Sequence, residues 1–411
     1  MADVGAGIMP RDEIITGLLD PKITAGMPGV SVQNFGGIGS EAAGNSPLSK
    51  TAGVFDVAEN MIWTHSKHMV SFGGEIMWIR PNTQAASGGR GSLGFTGAFT
   101  ELPTNRSATG EGLADMLLGV ANSVSTGSVI HSEERGRYYA GYVNDQWTSM
   151  QNLTLNFGLR YEYLTPFRDT QNRMANFVMD PGPLYLQFVP AGDSRLPRAL
   201  MYGDKTNYSP RVGMAYKVPH VQDLTIRSSF GIFFAQDQGS GVTSRLSSNP
   251  PFYNYGAISE SSDQLNVSTG FTLSSSTVIP RPTPVSGSAF VLVPTFAGGL
   301  TSWPTHYKNG RVQQWSLSVQ KKLPWDMLFE TNYVGNHGVH LLAREQGNQP
   351  TVLNGATVQS RRPLAAVTQS PSTALASGMR LSTRVFRPNL KNVLPREFLF
   401  EIQSPMGMLS T

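Results

Sequence analysis

Cysteine is absent from this sequence of 411 residues, which excludes a disulfide scaffold and a zinc site built from thiolates. Charge is sparse as well, since Asp, Glu, Lys and Arg make up 15% of the chain, against roughly 25% in typical soluble domains. The net charge of +4 is small for this length and forms no strongly basic stripe, so we expect no nucleic-acid partner. No run of 18 apolar residues occurs either, and the sequence therefore predicts no transmembrane helix.

The sequence also has few patterns that carry chemistry. His337 and His340 are three positions apart, and in an extended strand this spacing points the two side chains to opposite faces, which is a poor geometry for chelating a metal. The glycine-rich stretch 88–94 has neither the lysine nor the strand-then-helix context of a phosphate-binding loop. Since no nucleophile motif, paired carboxylates or zinc-protease motif occurs, we predict a protein that is not an enzyme and holds no cofactor or metal.

The sequence does contain two-fold alternation. In LTLNFGLRYEY, residues 153–163, every odd position is apolar or aromatic and every even position is small, polar or charged. A period of two excludes an amphipathic helix and predicts a strand with one dry and one wet face. Soluble strands usually have about 5–6 residues, whereas strands that cross a membrane need roughly 9–11. The length of this segment therefore suits a membrane strand, and a long strand of a soluble sandwich stays open.

The alternation recurs in pairs of segments that are joined by short turns. These pairs are 55–63 with 68–80, 138–147 with 153–163, 207–218 with 224–234, and 311–323 with 326–335. Between them lie long polar stretches, 81–137, 164–206 and 235–310, which a compact soluble domain rarely carries. A transmembrane β-barrel combines short turns at one end with long loops at the other. We therefore predict an all-β fold, an antiparallel transmembrane β-barrel segment built of long hairpins with short periplasmic turns and long extracellular loops.

A barrel with this register has a wet lumen on the polar side of each strand and lipid on the other, because an arginine facing lipid at mid-membrane costs about 2–4 kcal/mol. The candidate lumen-facing residues are Arg160, Glu162, Arg211, Arg227 and Glu330, and we place Glu59, Glu75 and Lys217 on the same faces. The candidate lipid-facing residues are Leu155, Phe157 and Leu159, with an aromatic girdle of Trp63, Trp147 and Trp325 beside the short turns.

One long segment resembles a known family. RYYAGYVNDQWTSMQNLTLNFGLRYEYLTPFRDTQNRMANF resembles the barrel of TonB-dependent receptors, specifically the large Oar-like transporters. In that family an aromatic-rich strand ending in an acidic-x-Trp unit leads through a short turn into LTLN-x-GLRYEY and a proline. Other similar stretches occur in the expected order over roughly residues 30 to 345, namely THSKHMVSFGGEI, GEGLADMLLG, NYSPRVGMAY, LTIRSSFGIFF, QQWSLSVQKKL and ETNYVGNHGVHL.

The resemblance implies an outer-membrane barrel of about 22 strands that is closed by a plug domain. It also implies uptake of a scarce ligand, driven by the TonB complex of the inner membrane. This sequence has no recognisable signal peptide, plug or TonB box, and its eight to ten predicted strands are too few for such a barrel. We therefore interpret the chain as a fragment that is not competent for transport alone. It has an irregular N-terminal segment 1–50, a partial barrel 51–345, and a low-complexity or loop-like tail 346–411, a candidate out-of-frame segment.

Three functions are compatible with the sequence. The first is a transporter barrel whose partners are outer-membrane lipid and, in a full-length relative, the TonB complex, and whose ligand the sequence does not identify. The second is a structural or adhesive outer-membrane barrel with loops that bind other molecules. The third is a soluble, secreted β-sandwich that binds a ligand. A plug and a TonB box in the full-length gene would favour the first function over the second, whereas purification without detergent would favour the third.

Overall fold

The computed structural model contains one large antiparallel sheet and two smaller packed units. The structure describes residues 28–39, 48–85, 91–102, 104–105, 108–127, 129–180, 182–184, 187–235, 246–253, 255–259, 271–272, 300–324, 327–346 and 372–392. Its elements in chain order are β1 (Gly29–Val32), β2 (Leu48–His65), β3 (His68–Ala85), β4 (Ser92–Phe95), α1 (Gly112–Leu118), β5 (Val120–Ala121), β6 (Ser123–Gly127), β7 (Ile130–Met150), β8 (Leu153–Leu164), β9 (Arg168–Asp169), β10 (Ala175–Val178), β11 (Gln187–Pro190), β12 (Tyr208–Lys217), β13 (Leu224–Ala235), β14 (Tyr255–Ser259), β15 (Phe271–Thr272), β16 (Thr301–Ser302), β17 (Gly310–Lys322), β18 (Met327–Gln346) and β19 (Ser372–Asn392).

The large sheet contains every hairpin that the alternation predicted. Its strands lie in the order β2, β3, β7, β8, β12, β13, β17, β18, β19 and β16, and β9 also pairs with β7. The long strands are antiparallel to their neighbours, and only the short contact of β16 with β19 is parallel. The predicted pairs correspond to β2–β3, β7–β8, β12–β13 and β17–β18. The structure thus confirms the all-β, antiparallel class.

Short and long connections alternate along the chain, as predicted. The short turns are 66–67, 151–152, 218–223 and 323–326, and the long connections are 86–129, 165–207, 236–309 and 347–371. Because successive long strands are antiparallel, all the short turns lie at one end of the sheet and all the long connections at the other. The strands are longer than predicted, since β3 continues to Ala85 and β7 begins at Ile130. Backbone pairing does not depend on side-chain polarity, so the ladder continues where the apolar alternation stops.

Described parts of three long connections, 86–129, 165–207 and 236–309, fold into packed structure with buried apolar cores, which their polar sequences did not predict. Described parts of 165–207, 246–253 and 300–309 share one hydrophobic core, and we term this unit the cap. Its buried core residues are Met174, Val178, Val189, Leu196, Leu200, Met201, Leu246, Trp303 and Tyr307. These apolar residues follow no regular period, and their contacts join distant segments: the side-chain amide of Asn176 donates to the carbonyl of Trp303, 127 positions away. Sequence periodicity therefore gave no sign of the cap.

The second small unit is a four-stranded sheet in the order β1, β4, β6 and β14, with α1 beside it. Its core consists of Val30, Val32, Leu93, Phe95, Ala121 and Val124, with Met116 of α1 packed against them. The helix ends at Gly119, whose φ of 72° is the left-handed conformation that glycine adopts without a steric penalty. The prediction of an irregular segment over 1–50 is wrong for Gly29–Val32, which form β1 and pair with β4.

The tail also contributes to the large sheet. Ser372–Asn392 form β19, which pairs with β18, so the prediction of a loop-like tail over 346–411 is wrong for this part. An unpaired strand edge accepts another strand through backbone groups whatever the side-chain pattern, which explains why the missing alternation was misleading. At the other end of the sheet, β2 has a neighbour on one side only within the described part of the chain. None of the helices among the described residues has the length and apolar character needed to cross a membrane.

Candidate functional site

One face of the large sheet is apolar along most of its width. Phe157 of β8 lies opposite Val212 of β12, and the row continues through Phe230 of β13 to Trp315 of β17. A parallel row joins Leu159 to Val143 on β7. These side chains are not covered by other parts of the described structure, since Phe157 is 47% exposed and Leu159 is 45% exposed. We term this side the apolar face.

The opposite side, termed the polar face, carries all five charged residues that the sequence predicted there. They are Arg160, Glu162, Arg211, Arg227 and Glu330. The register also brings Glu75 to this face, because Glu75 and Glu162 both lie opposite Ala140 of β7. The prediction for Glu59 is wrong: it pairs with Gly74, and its odd position places it on the apolar face with Val57. Successive side chains of a strand point to opposite faces, so odd and even positions lie on different faces of the sheet.

Arg160 is the centre of a polar network near the end of β8 that leads into the cap. Its Nε donates to Oε1 of Glu162 at 2.8 Å, and its Nη2 lies 3.5 Å from Oε2 of Glu75. Nη2 also donates to the hydroxyl of Tyr138 at 3.0 Å, and that hydroxyl donates to Glu162. The three charged side chains are each about one fifth exposed, at 24% for Arg160, 24% for Glu75 and 17% for Glu162. The structure thus brings together Arg160 and Glu162, two of the predicted residues.

The other three predicted residues make separate contacts along the polar face. The guanidinium carbon of Arg211 lies 4.8 Å from the ring centre of Phe233, a cation–π distance. Arg227 donates to the side-chain carbonyl of Gln320 at 2.5 Å. Glu330 accepts a hydrogen bond from Asn332 at 3.3 Å. These residues form a series of polar groups rather than one site.

Sequence reasoning missed three members of the polar face. Tyr138 completes the network of Arg160, and the hydroxyl of Tyr142 donates to Oδ1 of Asn60 at 2.8 Å. Tyrosines occupy both faces of β7, so the alternation there was ambiguous. The informative signal was the register against β8, because it places Tyr142 opposite Arg160 and therefore on the polar side.

The tryptophans predicted as a girdle lie beside the short turns. Trp63 stacks on His65 with ring centres 5.5 Å apart, and Trp147 stacks on His68 at the same separation. His68 also forms a hydrogen bond through Nδ1 with Asp145 at 2.8 Å. Trp325 lies outside the described residues, so its position stays a prediction. Aromatic and imidazole rings thus cluster at the turn end of the apolar face.

A buried carboxylate ties the cap to the start of β17. Oδ2 of Asp204 accepts the backbone N–H of Asn309 at 3.0 Å, and Oδ1 accepts from the hydroxyl of Thr206 at 2.6 Å and from Nζ of Lys308 at 3.2 Å. Burial by itself raises the pKa of the Asp204 carboxyl, but these donors together hold it below its ordinary value. Asn207 joins the cap to β8 by donating to the carbonyl of Glu162 at 3.1 Å.

The side chains of the polar face are mainly hydrogen-bonding groups. The described residues contain no group of three or more His, Asp or Glu side chains arranged to hold a metal ion. The polar face offers a guanidinium, carboxylates, phenols and amides, which bind polar molecules and water.

The comparisons with known proteins agree with this architecture. Residues 5–380 match the family model described as "Outer membrane beta barrel domain". Similar solved structures include the outer membrane transporter YddB from Escherichia coli (10% identity, 84% of this chain, 31% of that chain, TM-score 0.43) and the ferripyoverdine receptor of the outer membrane of Pseudomonas aeruginosa (8% identity, 85% of this chain, 31% of that chain, TM-score 0.39). The siderophore receptor PirA from Pseudomonas aeruginosa is another (8% identity, 85% of this chain, 46% of that chain, TM-score 0.31).

The chain spans less than half the length of these structures, at 31% to 46%. No curated protein matches the sequence. Because the TM-scores lie below 0.5, the assignment rests on the family model, which covers most of the sequence. The chain belongs to the outer membrane beta barrel domain family, and its location is the outer membrane.

Proposed function

We propose that this chain forms part of the wall of an outer-membrane transporter related to the TonB-dependent receptors. The polar face lines a water-filled lumen, and the apolar face contacts lipid. The observation that carries the proposal is the contrast between the two faces. Exposed apolar side chains such as Leu159 and Val212 lie on the face opposite to Arg160 and Arg211, which occupy neighbouring positions of the same strands. Membrane barrels need this arrangement because lipid cannot satisfy charged groups.

The residues of the polar face keep the lumen hydrated and contact a passing polar ligand. Arg160 and Glu162 hold each other in fixed orientations, so they offer preorganised donors and acceptors near the cap. Arg211, Arg227 and Glu330 extend this polar lining along the sheet. A ligand that fits these groups is polar and hydrogen-bonding, and it passes without a covalent step. This role is binding and passage, not catalysis.

The residues at the turn end anchor the wall at the periplasmic headgroups. Trp63 and Trp147 lie beside the short turns on the apolar face, where an amphipathic ring is stable at headgroup depth. We assign Trp325 the same role from the sequence alone. Leu155, Phe157 and Leu159 fill the hydrocarbon between this girdle and the far end.

An open edge destabilises a sheet in lipid, because the unpaired backbone groups along it find no partner there. Within the described residues, β2 pairs with β3 only. We propose that further strands of a longer polypeptide pair with this edge, with 51–345 and β19 as one part of the wall. A plug domain and the TonB complex would be partners of that complete protein.

Spin labels test the assignment of the two faces. Nitroxides at positions 157 and 159, placed in the chain refolded into lipid vesicles, should collide with dissolved oxygen more than with a water-soluble nickel chelate. A label at Asn156 should show the opposite preference, because it lies on the polar face. Labels at 157 and 159 that are shielded from both reagents would instead indicate a packed protein interior and overturn the proposal.

A further inference from the structure

Four arginines line one concave surface at the cap end of the apolar face. Arg80, Arg135, Arg137 and Arg168 share it with Trp78, Tyr139 and the backbone around Thr165. No carboxylate lies among the described residues that line this surface. We term it the arginine patch.

The strand register places the four side chains on the same face. Arg137 lies opposite Trp78, and Arg168 of β9 lies opposite Arg135 of β7. The same register of β3 and β7 on both sides of Arg80 brings it across from Arg135. Three neighbouring strands therefore present arginines side by side. Like charges that face each other across strands are destabilising, so this arrangement needs a compensating anion.

Few groups of the protein itself neutralise the positive charge of the arginine patch. Arg80, Arg137 and Arg168 make no side-chain hydrogen bond or ion pair within the described part of the chain, and Arg135 donates only to neutral oxygens, those of Asn82 and Glu134. Two flanking carboxylates, those of Glu133 and Asp169, are engaged by Arg173 at 3.4 Å and 3.2 Å. The charge of the patch is therefore available to a partner.

The arginine patch lies at the depth of the lipid headgroups on the side of the membrane opposite to the short turns. From Trp147 to Arg137, β7 rises about 33 Å along its own length, or about 25 Å along the membrane normal at a tilt of about 40°. About 25 Å is the height of the apolar band of a membrane barrel. Trp78 and Tyr139 form the aromatic edge of this band, and the patch begins directly beyond it.

We propose that the arginine patch binds the phosphate groups of a phosphorylated lipid in the outer leaflet. A planar guanidinium pairs with phosphate through two parallel hydrogen bonds, and the acyl chains of the same lipid lie along the adjacent apolar face. Basic clusters at the membrane boundary recognise anionic headgroups in this way. The inference rests on the proposed outward orientation of the apolar face.

The test measures binding of diphosphoryl lipid A to the full chain in detergent micelles by native mass spectrometry. The double variant R80Q/R137Q removes two charges whose side chains make no internal hydrogen bond or ion pair, so it should fold as the wild type does. Each arginine near an anionic lipid contributes about fivefold, so the dissociation constant should rise about thirtyfold. The matched control K205Q/K217Q removes two charges elsewhere, from exposed side chains, and should change binding less than twofold. The single variant R168Q should raise the dissociation constant about fivefold and provides a second, independent measurement.

Two further arms identify the source of the phosphate. A dephosphorylated lipid A should bind weakly to the wild type, and millimolar pyrophosphate should not displace the intact lipid. Displacement by pyrophosphate would identify a site for free phosphate and overturn the lipid assignment. Equal affinity of R80Q/R137Q and the wild type, or an equal loss in K205Q/K217Q, would also overturn it.

The spin-label experiment separates this inference from the proposed function. If labels at positions 157 and 159 contact acyl chains while R80Q/R137Q binds lipid A normally, only the phosphate site is refuted. If those labels report a protein interior, the outward orientation fails, and the patch loses its lipid partner as well.

Discussion

At the scale of single residues, Arg160 decides the character of the polar face. Its guanidinium contacts Glu162 and the hydroxyl of Tyr138, and it lies 3.5 Å from Glu75. Each of these groups is mostly buried, so a loss of the cation leaves two carboxylates without their partner. Such a loss costs more than the removal of a pair of exposed charges, because the remaining groups have already lost their water.

We therefore predict that R160M lowers the free energy of unfolding by about 1–3 kcal/mol, because Glu75 and Glu162 lose a charge-assisted partner. R160K should lie between R160M and the wild type, since lysine keeps the charge but lacks the planar fork. Urea titration in micelles measures the three proteins. The control R227Q removes one contact of an exposed side chain to Gln320 and should cost less than about 1 kcal/mol. Equal losses in R160M and R227Q would contradict the central role of Arg160.

At the scale of elements, substitutions at two neighbouring positions of β8 test which face of the sheet contacts lipid. F157R places a charge on the apolar face and should cost about 2–4 kcal/mol for folding into vesicles, because lipid cannot solvate it. N156R places the same side chain on the polar face and should fold nearly as well as the wild type. Both values come from urea-dependent folding into phosphatidylcholine vesicles. Similar costs for the two variants would show that β8 does not separate lipid from water.

The cap is the element whose stability should depend on acid. The pKa of Asp204 is below its ordinary value of 3.8 in the folded protein, so its ionised form favours folding. That contribution is fully present above this ordinary value and is lost as the pH falls through the lower folded pKa. Acid below about pH 4 should therefore loosen the cap and expose the buried Trp303 to acrylamide, which quenches its fluorescence.

The variant D204N supplies the control for this acid transition. It loses the ion pair with Lys308 at every pH, so its cap should already be looser at pH 7. The extra quenching of D204N over the wild type should shrink as the pH falls below about 4. A difference that stays constant from pH 7 to pH 3 would show that another group controls the cap.

At the scale of the whole molecule, the open sheet and the exposed apolar face predict poor behaviour in water. β2 exposes an unpaired edge within the described residues, and Phe55 and Trp63 on it are 63% and 58% exposed. Long apolar edge strands associate with one another. We predict that the chain expressed alone aggregates without detergent, as measured by sedimentation and size exclusion. Monodisperse material in plain buffer would contradict both the membrane orientation and the need for further strands.

The sequence by itself determined the strands and their two faces. In segments such as 153–163, an alternation of period two places all apolar residues on one side only if the segment is a strand. The odd or even position of each charged residue then determines its face. This reasoning placed Arg160, Glu162, Arg211, Arg227 and Glu330 together. It failed at Glu59, whose odd position puts it on the apolar face, and at Tyr138, because both faces of β7 carry aromatic residues.

Only the tertiary structure decided how the long connections fold and which charges meet. The cap joins Asn176 to Trp303 across 127 positions, and the arginine patch combines three strands, so neither leaves a periodic trace in the chain. β19 joins the sheet through backbone groups, which no side-chain pattern reports. The period of the sequence determines on which face of a strand each side chain lies. Contacts between distant segments depend on strand register and packing, which arise only when the sheet forms.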